Sequence, residues 1–171
     1  MRLGQQHGYD RGRRGKRRPS RKHSGHRRGI DYYTDGWGNI HYHPDLSDNV
    51  VGGRGFRHQW WSCYVEELVD HEDPDGHGTH VSGTIAAVDN TIGVIGTAPK
   101  TKIYALRLFT WDRMEVAAAI NYTVNTLLAN IIVITVTYSD NYTELYSACK
   151  SAYENGALLF AAAGNQNSSV R

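Results

Sequence analysis

The sequence predicts an α/β fold built around a mainly parallel sheet, and two observations indicate this. From residue 77 onward, segments with a helical spacing of apolar residues alternate with short runs of strand-forming residues. The run at 131–136 is apolar and rich in β-branched side chains without a break, which is typical of a strand buried on both faces. Because strands and helices alternate, we expect right-handed crossovers between parallel strands.

The predicted elements follow one another in a simple order. Residues 50–56 form a short strand with glycine interruptions, and residues 57–72 form an irregular loop. Later elements are predicted as a helix at 77–88, a strand at 102–109, a helix at 115–128, a strand at 131–136, a helix at 143–154 and a strand at 157–162. The third helix is expected to stop at Asn155 and Gly156, because both residue types tolerate the left-handed backbone that ends helices.

Charge divides the chain into two parts. Residues 1–28 contain eleven of the nineteen Lys and Arg and a single acid, Asp10, whereas the other residues carry eight bases and sixteen acids. We therefore expect a basic, disordered segment at 1–28 and one partial domain at 29–171. No apolar run reaches the roughly 18 residues of a membrane-spanning helix, and no apolar stretch of a signal peptide follows the basic start, so no membrane partner is predicted.

The strongest chemical signal is a histidine enclosed by small residues. Residues 73–84 read Asp-Pro-Asp-Gly-His-Gly-Thr-His-Val-Ser-Gly-Thr and lead into the apolar residues 85–88. This pattern predicts a loop that places His77 at the first turn of a buried helix, where glycines allow neighbouring backbone to approach closely. An imidazole titrates in the range that general-base catalysis needs. A purely structural histidine is the alternative interpretation.

A second signal follows the last predicted strand. Residues 160–165 read Phe-Ala-Ala-Ala-Gly-Asn and end in Asn165, whose amide can donate a hydrogen bond; an ordinary loop asparagine is the alternative. Together with Gly-Thr-His-Val-Ser-Gly-Thr at 78–84, this string resembles the subtilisin-like serine proteases, the subtilase family. Ligands of parallel sheets bind beyond the carboxyl ends of the strands, so His77 and Asn165 are expected near that edge.

The resemblance implies both an architecture and an activity. The architecture is the subtilisin-like three-layer sandwich, of which this chain is an incomplete part. The activity is that of a serine-type endopeptidase acting on polypeptide substrates, with His77 as general base and Asn165 in the oxyanion hole. The family resemblance also implies a secreted, extracellular protein.

Two further strings resemble calcium-binding segments of the same family. They are His-Pro-Asp-Leu at 43–46 and Val-Asp-Asn-Thr-Ile-Gly-Val at 88–94. The resemblance implies a structural calcium ion, because calcium takes about six to eight oxygen ligands, many of them carbonyls. The implied ligands are the side chains of Asp45 and Asn90 and the main-chain carbonyls of Val88, Ile92 and Val94. Asp45 and Asn90 are equally well explained as turn formers.

The chain departs from the family pattern at the other catalytic parts. No serine follows a Gly-Thr pair, so the nucleophile is absent and we expect the chain by itself to be inactive. Gly-Ile-Asp at 29–31 matches the end of the aspartate block, but Arg27 and Arg28 stand at its Asp-Thr positions. Asp35 lies at a more suitable distance from His43, but no apolar strand precedes it.

One hypothesis explains these arginines. Codons permitted by residues 22–27, read one base later, allow Asn-Ile-Ala-Val-Ile-Asp, which is the apolar strand with its aspartate. Residues 1–28 are then an out-of-frame translation, and the coding DNA tests this directly.

Other interpretations stay open at this point. The chain is either a fragment of an active protease or a catalytically inactive homologue, or it is a binding protein whose basic arm contacts a polyanion. Nucleic acid is disfavoured because the arm has few aromatic residues and no recognisable nucleic-acid fold follows it. A zinc site through His41 and His43, or through His77 and His80, lacks third and fourth ligands at suitable spacing. Cysteines 63 and 149 form one disulfide or remain thiols.

Overall fold

A computed structural model describes residues 31–34, 40–62 and 65–165, and within these ranges six strands form one sheet accompanied by three α-helices. The elements in chain order are β1 (Asp31–Thr34), β2 (Val50–His58), β3 (Val65–Leu68), α1 (His77–Ala86), β4 (Ile103–Leu108), α2 (Arg113–Tyr122), β5 (Ile131–Ile134), α3 (Thr143–Glu154) and β6 (Leu158–Ala161). A 3₁₀ turn spans Ile40–Tyr42, and a π-helical turn, Thr123–Leu127, extends α2.

The sheet is mainly parallel, as the sequence predicts. Its strand order is β3-β2-β4-β1-β5-β6, and every neighbouring pair from β2 to β6 runs parallel. Only β3 is antiparallel, because it forms a hairpin with the end of β2, pairing Val65 with His58 and Leu68 with Gly55. Within the described ranges, β3 and β6 are therefore the two edge strands.

Helices cover both faces of the sheet, which completes a three-layer sandwich. Side chains of β4 alternate between the two sides, as the two-residue period of a strand requires. Leu106 and Leu108 pack with α2 and α3 in the larger core, which also contains Ile120. On the opposite side, Ile103 and Ala105 belong to the core that lies under α1.

Two strands of the structure were not predicted from the sequence. The segment predicted as an irregular loop, 57–72, contains the end of β2 and all of β3. No strand was expected before Asp35, yet β1 lies between β4 and β5 in the middle of the sheet. Both missed strands have only four residues, and a strand this short is specified by its partners more than by its own pattern.

The helices agree more closely with expectation. The third helix has the predicted bounds, Thr143–Glu154, and is followed by Gly156 with φ 86°. The first ends at Ala86, two residues early, because Ala87 is extended with ψ 135°. The second begins at Arg113, two residues early, because the Asp112 side chain accepts a hydrogen bond from the Met114 amide at 2.8 Å.

A buried carboxylate fixes the turn between β4 and α2. Glu115 is fully buried and accepts hydrogen bonds from the main-chain amides of His58 (2.7 Å), Thr110 (2.9 Å) and Trp111 (3.1 Å). The Thr110 hydroxyl adds a fourth donor at 2.8 Å. One side chain of α2 therefore ties together the end of β2, the loop after β4 and its own helix.

Several expectations concern residues outside the described ranges. These are the basic segment 1–28, Asp35 and Cys63. The remaining cysteine, Cys149, is a free, half-buried thiol whose pKa is raised by burial. Among the described residues, no helix has the length and apolar character needed to cross a membrane.

Candidate functional site

The start of α1 is held by a side chain four residues before the helix. Gly76 is the N-cap residue, with φ 84°, and has no side chain with which to cap. Asp73 supplies this function instead: it is fully buried and accepts hydrogen bonds from the amides of Thr79 (2.6 Å) and Gly76 (3.2 Å). The Thr79 hydroxyl donates to the same carboxylate at 2.5 Å. His77 is consequently fixed as the first residue of the helix, as predicted, and it is exposed.

Contacts at the other end of α1 show which edge of the sheet His77 faces. The Asn49 side-chain amide, just before β2 begins, donates to the carbonyl oxygens of Ala86 and Pro99, both at 2.8 Å. The carboxyl end of α1 therefore lies at the amino edge of the parallel strands. Since α1 runs back across the sheet, its first residue, His77, lies towards the carboxyl edge.

Asn165 reaches the same edge from a different element. It follows β6 after three residues, and the preceding Gly164 has φ 82°, which turns the chain away from the strand direction. The side chain is exposed. Because β6 is parallel to β5, residues after Ala161 lie beyond the carboxyl ends of the strands. The topology thus brings the two predicted catalytic residues to one edge of the sheet.

The backbone of β1 bears on the two alignments of the aspartate block, one of which ends at Asp31 with Arg27 at the aspartate position, while the other uses Asp35. Asp31 pairs with Tyr104 and Ile132, near the starts of β4 and β5, and therefore lies at the amino edge. The next residue after the strand, Asp35, follows Thr34 in the sequence and lies outside the described ranges, as do Arg27 and Arg28. A strand does precede Asp35, contrary to the sequence analysis, and it runs towards the edge where His77 lies.

The predicted calcium loop wraps around one buried carboxylate. Asp45 is only 3% exposed, and its Oδ2 accepts a hydrogen bond from the Val94 amide at 2.8 Å. Its main-chain carbonyl accepts from the Val88 amide, also at 2.8 Å. The other carboxylate oxygen, Oδ1, is buried and has no hydrogen-bond partner. A buried, unpaired anionic oxygen is costly, so this atom fits a cation ligand.

Two further residues shape this loop. Gly93 has φ 58°, and a β-carbon there would overlap the Asp45 carboxylate, so only glycine fits. Asn90 is exposed, and its Oδ1 accepts a hydrogen bond from the Ile92 amide at 2.8 Å, which is an Asx turn. The turn-forming and metal-binding interpretations of Asn90 therefore both remain. Gly93 in this loop and Asp73 before α1 were not predicted from the sequence. The position of Asp73, four residues before His77, could have indicated its capping role.

Among the described residues, neither of the histidine pairs considered and disfavoured for zinc gains further ligands. Within the described part of the chain, no group of three or more His, Cys, Asp or Glu side chains is placed to hold a metal ion. His43 does not pair with His41; its Nδ1 accepts a hydrogen bond from the Asp45 amide at 3.2 Å. His41 instead contacts His71, which the sequence spacing gave no reason to expect.

An α/β sandwich with a histidine at the start of a helix facing the carboxyl edge of its sheet is the architecture of a subtilisin-like hydrolase fold. The sequence profile described as the subtilase family matches residues 29–171. The chain belongs to the subtilase family.

Individual relatives agree with this assignment. Subtilisin DY of Bacillus licheniformis is 36% identical over 130 residues, covering 74% of this chain and 44% of that protein. The major intracellular serine protease of Bacillus subtilis (strain 168) is 33% identical over 129 residues, covering 72% of this chain and 39% of that protein. The solved structure of Sphericase superposes with a TM-score of 0.68 and 29% identity, covering 84% of this chain and 48% of that chain. The chain thus spans less than half the length of these relatives.

Proposed function

We propose that the chain is part of a subtilisin-like serine endopeptidase, in which His77 is the general base and Asn165 an oxyanion-hole donor. The observation that supports the proposal is that α1 begins, and β6 ends, at the carboxyl edge of the sheet. His77 is exposed and Asn165 is exposed, as residues that meet a substrate must be. The substrate class is a polypeptide, and the reaction is hydrolysis of a peptide bond.

Each residue has a defined chemical role in this proposal. The His77 imidazole accepts the proton of a serine hydroxyl as that oxygen attacks the scissile carbonyl, and then gives the proton to the leaving amine. The Asn165 amide donates a hydrogen bond to the negative oxygen that develops on the carbonyl. In this chain no serine follows a Gly-Thr pair, which is the position of the nucleophile in the family's serine block. We therefore expect no peptide hydrolysis by the 171-residue chain alone.

The test uses a fluorophosphonate probe, which reacts only with an activated serine. The chain alone should not be labelled, and a longer product of the same gene that contains a Gly-Thr-Ser block should be. Labelling and peptide turnover of that longer protein should be lost in His77→Ala and kept in Lys150→Ala, an exposed position on α3. His77-dependent turnover by the chain alone contradicts the expected inactivity, and unchanged labelling of His77→Ala contradicts the assigned base.

Asn165 has its own expected effect. Asn165→Ala should lower turnover of the longer protein by about 10²–10³-fold, the range known for removal of the oxyanion asparagine in a subtilisin. Substrate binding should change far less, because the hydrogen bond forms only in the transition state. A loss confined to the Michaelis constant contradicts this role.

We propose further that a calcium ion binds the loop around Asp45. The ligands are the Asp45 and Asn90 side chains and the carbonyls of Val88, Ile92 and Val94. The buried, unpartnered Asp45 Oδ1 supports this, since calcium supplies the positive charge that this oxygen lacks. Calcium should raise the unfolding temperature of the chain, and Asp45→Ala should abolish that increase. Asp48→Ala, an exposed acid on the same turn, is the control; equal calcium responses of the two variants contradict the site.

The compartment stays a prediction. Secretion is what the family resemblance implies, whereas one matched relative is by name an intracellular protease. Fractionation of cells that express the complete gene decides between the two locations.

A further inference from the structure

Two histidines that are 30 residues apart in the sequence face each other through their Nε2 atoms. His41 lies in the 3₁₀ turn before β2, and His71 lies in the loop between β3 and α1. Their Nε2 atoms are 2.5 Å apart, and the rings are nearly perpendicular, with centroids 4.6 Å apart. Both side chains are half-buried at an open pocket, whose lining residues are His41, Tyr42, Val69, Asp70, His71 and Glu72.

The proton on His71 is fixed by its second ring nitrogen. Nδ1 of His71 lies 2.5 Å from the carbonyl oxygen of Val69. Because a carbonyl oxygen only accepts, Nδ1 of His71 carries the proton, and the other ring nitrogen, Nε2, faces His41. A histidine whose far nitrogen donates to a backbone carbonyl is the usual arrangement of a metal ligand, since that hydrogen bond fixes the tautomer and orients the ring.

The environment also favours the metal-binding form of His41. Burial, and then the neighbouring His71, lower the pKa of His41, which favours its neutral imidazole. The pocket is bordered by the acids Asp70 and Glu72. Asp70 forms a two-oxygen ion pair with Arg107 at 3.0 Å.

We propose that His41 and His71 form a binding site for a divalent transition-metal ion such as Zn²⁺, Ni²⁺ or Cu²⁺. Imidazole nitrogens suit these ions, and water molecules complete the coordination. Two nitrogens that bind one zinc ion tetrahedrally at about 2.0–2.1 Å lie about 3.3 Å apart, so the rings need to separate by about 0.8 Å. This site is independent of the peptidase proposal.

Gly53 provides a variant that moves one ligand without removing it. It lies in β2, and a β-carbon at this position would overlap the His71 imidazole. Gly53→Ala therefore displaces the ring while both histidines remain. If His41 and His71 bind the metal together, Gly53→Ala should weaken binding in the same direction as loss of a histidine.

The experiment measures Zn²⁺ and Ni²⁺ binding by titration calorimetry with the full chain, in the wild type and five variants. We expect His41→Ala and His71→Ala each to weaken the tightest binding step by about tenfold or more, and the double variant to weaken it no further. Gly53→Ala should weaken it too, and His80→Ala, which removes the competing histidine pair on α1, should not. Equal affinities in the wild type, His41→Ala and His71→Ala overturn the proposal, as does a loss confined to His80→Ala.

A second measurement needs no variant and is therefore independent of folding defects. Diethyl pyrocarbonate modifies imidazole nitrogens, and mass spectrometry reports the extent at each histidine. Zn²⁺ should protect His41 and His71 at a lower concentration than the other histidines of the chain. If Zn²⁺ leaves their modification unchanged, the short contact is a hydrogen bond between the two rings only, and the metal site does not exist.

Discussion

At the scale of single residues, Asp73 connects the local sequence to the placement of His77. Its carboxylate takes two amide donors and one hydroxyl donor at the start of α1, although it lies outside the helix. These donors have no partner within the helix itself, because the first amides of any helix lack a carbonyl four residues earlier. The position of the His77 imidazole therefore depends on Asp73, a residue with no direct role in the proposed reaction.

Asp73→Ala should lower the free energy of unfolding by about 1–3 kcal/mol, the range for losing a helix cap together with a buried acceptor. Asp75→Ala, an exposed acid in the same loop, should change it by less than about 0.5 kcal/mol. Urea unfolding followed by circular dichroism measures both variants. Equal losses in the two variants contradict the capping role of Asp73.

The ionisation of Tyr138 predicts how the stability of the fold changes with pH. Burial, and then the charges of Asp112 and Glu115, raise the pKa of Tyr138 to about 12. Its hydroxyl donates to the Trp111 carbonyl at 2.6 Å. An unfolded tyrosine ionises at about 10, so the folded state holds this proton more tightly and the unfolded state loses it first.

The stabilisation from Tyr138 should be complete below about pH 10 and should be lost as the pH rises towards 12. Phenolate absorbance, followed in an alkaline titration, should lose a late-ionising component in Tyr138→Phe. Tyr146→Phe, at an exposed position of α3, should not remove it. An alkaline titration that is the same for the wild type and Tyr138→Phe contradicts this prediction.

At the scale of elements, Glu115 joins three pieces of chain that are distant in sequence. Its four donors come from the end of β2 and from the loop that precedes α2. The carboxylate has no solvent-exposed surface, because the residue is fully buried. The end of β2, the loop and α2 therefore stay connected only while these donors have the Glu115 carboxylate as acceptor.

Glu115→Ala should cost about 3 kcal/mol of stability, since it leaves buried amides unpaired. Glu115→Gln retains one oxygen acceptor and should cost less. The comparison variant is Glu154→Gln in the exposed pair with Lys150, which should be nearly neutral. Thermal unfolding measures the stability of these three variants. An unchanged unfolding temperature in Glu115→Ala would show that the Glu115 hydrogen bonds do not stabilise the fold.

The sequence predicted those elements whose signal is local. The β-branched run that became β5 and the periodic segment that became α3 carry their own patterns, and both were found. By contrast, β1 and β3 have only four residues each, and they exist as strands because neighbouring strands offer backbone partners. His77 and Asn165 were identified because their motifs are contiguous. The pairing of His41 with His71 depends on tertiary folding and left no sequence signal.

At the scale of the whole molecule, one edge of the sheet exposes apolar surface. In the described ranges β6 pairs only with β5, and its alternate residues Leu158 and Phe160 are 56% and 55% exposed. Exposed apolar edge strands tend to pair with other chains. Natural edges are protected by charged side chains, and β6 has none.

We expect the chain to self-associate through β6 at high concentration. Phe160→Lys should lower the apparent mass in sedimentation or light scattering, because a lysine on an edge strand opposes further pairing. Val69→Lys, at an exposed apolar position near the other edge strand, should leave association unchanged. Equal association of the wild type and Phe160→Lys excludes β6 as the contact.

Strand β4 has a consequence for the order of events in unfolding. Its side chains are divided between the core under α1 and the core under α2 and α3, so neither layer can detach without uncovering it. Opening of one layer uncovers only one face of β4, while its backbone stays paired with β1 and β2, so its amides are the last to be released to solvent. In a hydrogen-exchange experiment these amides should exchange most slowly, and their rates should report the global unfolding of the molecule rather than the opening of one layer.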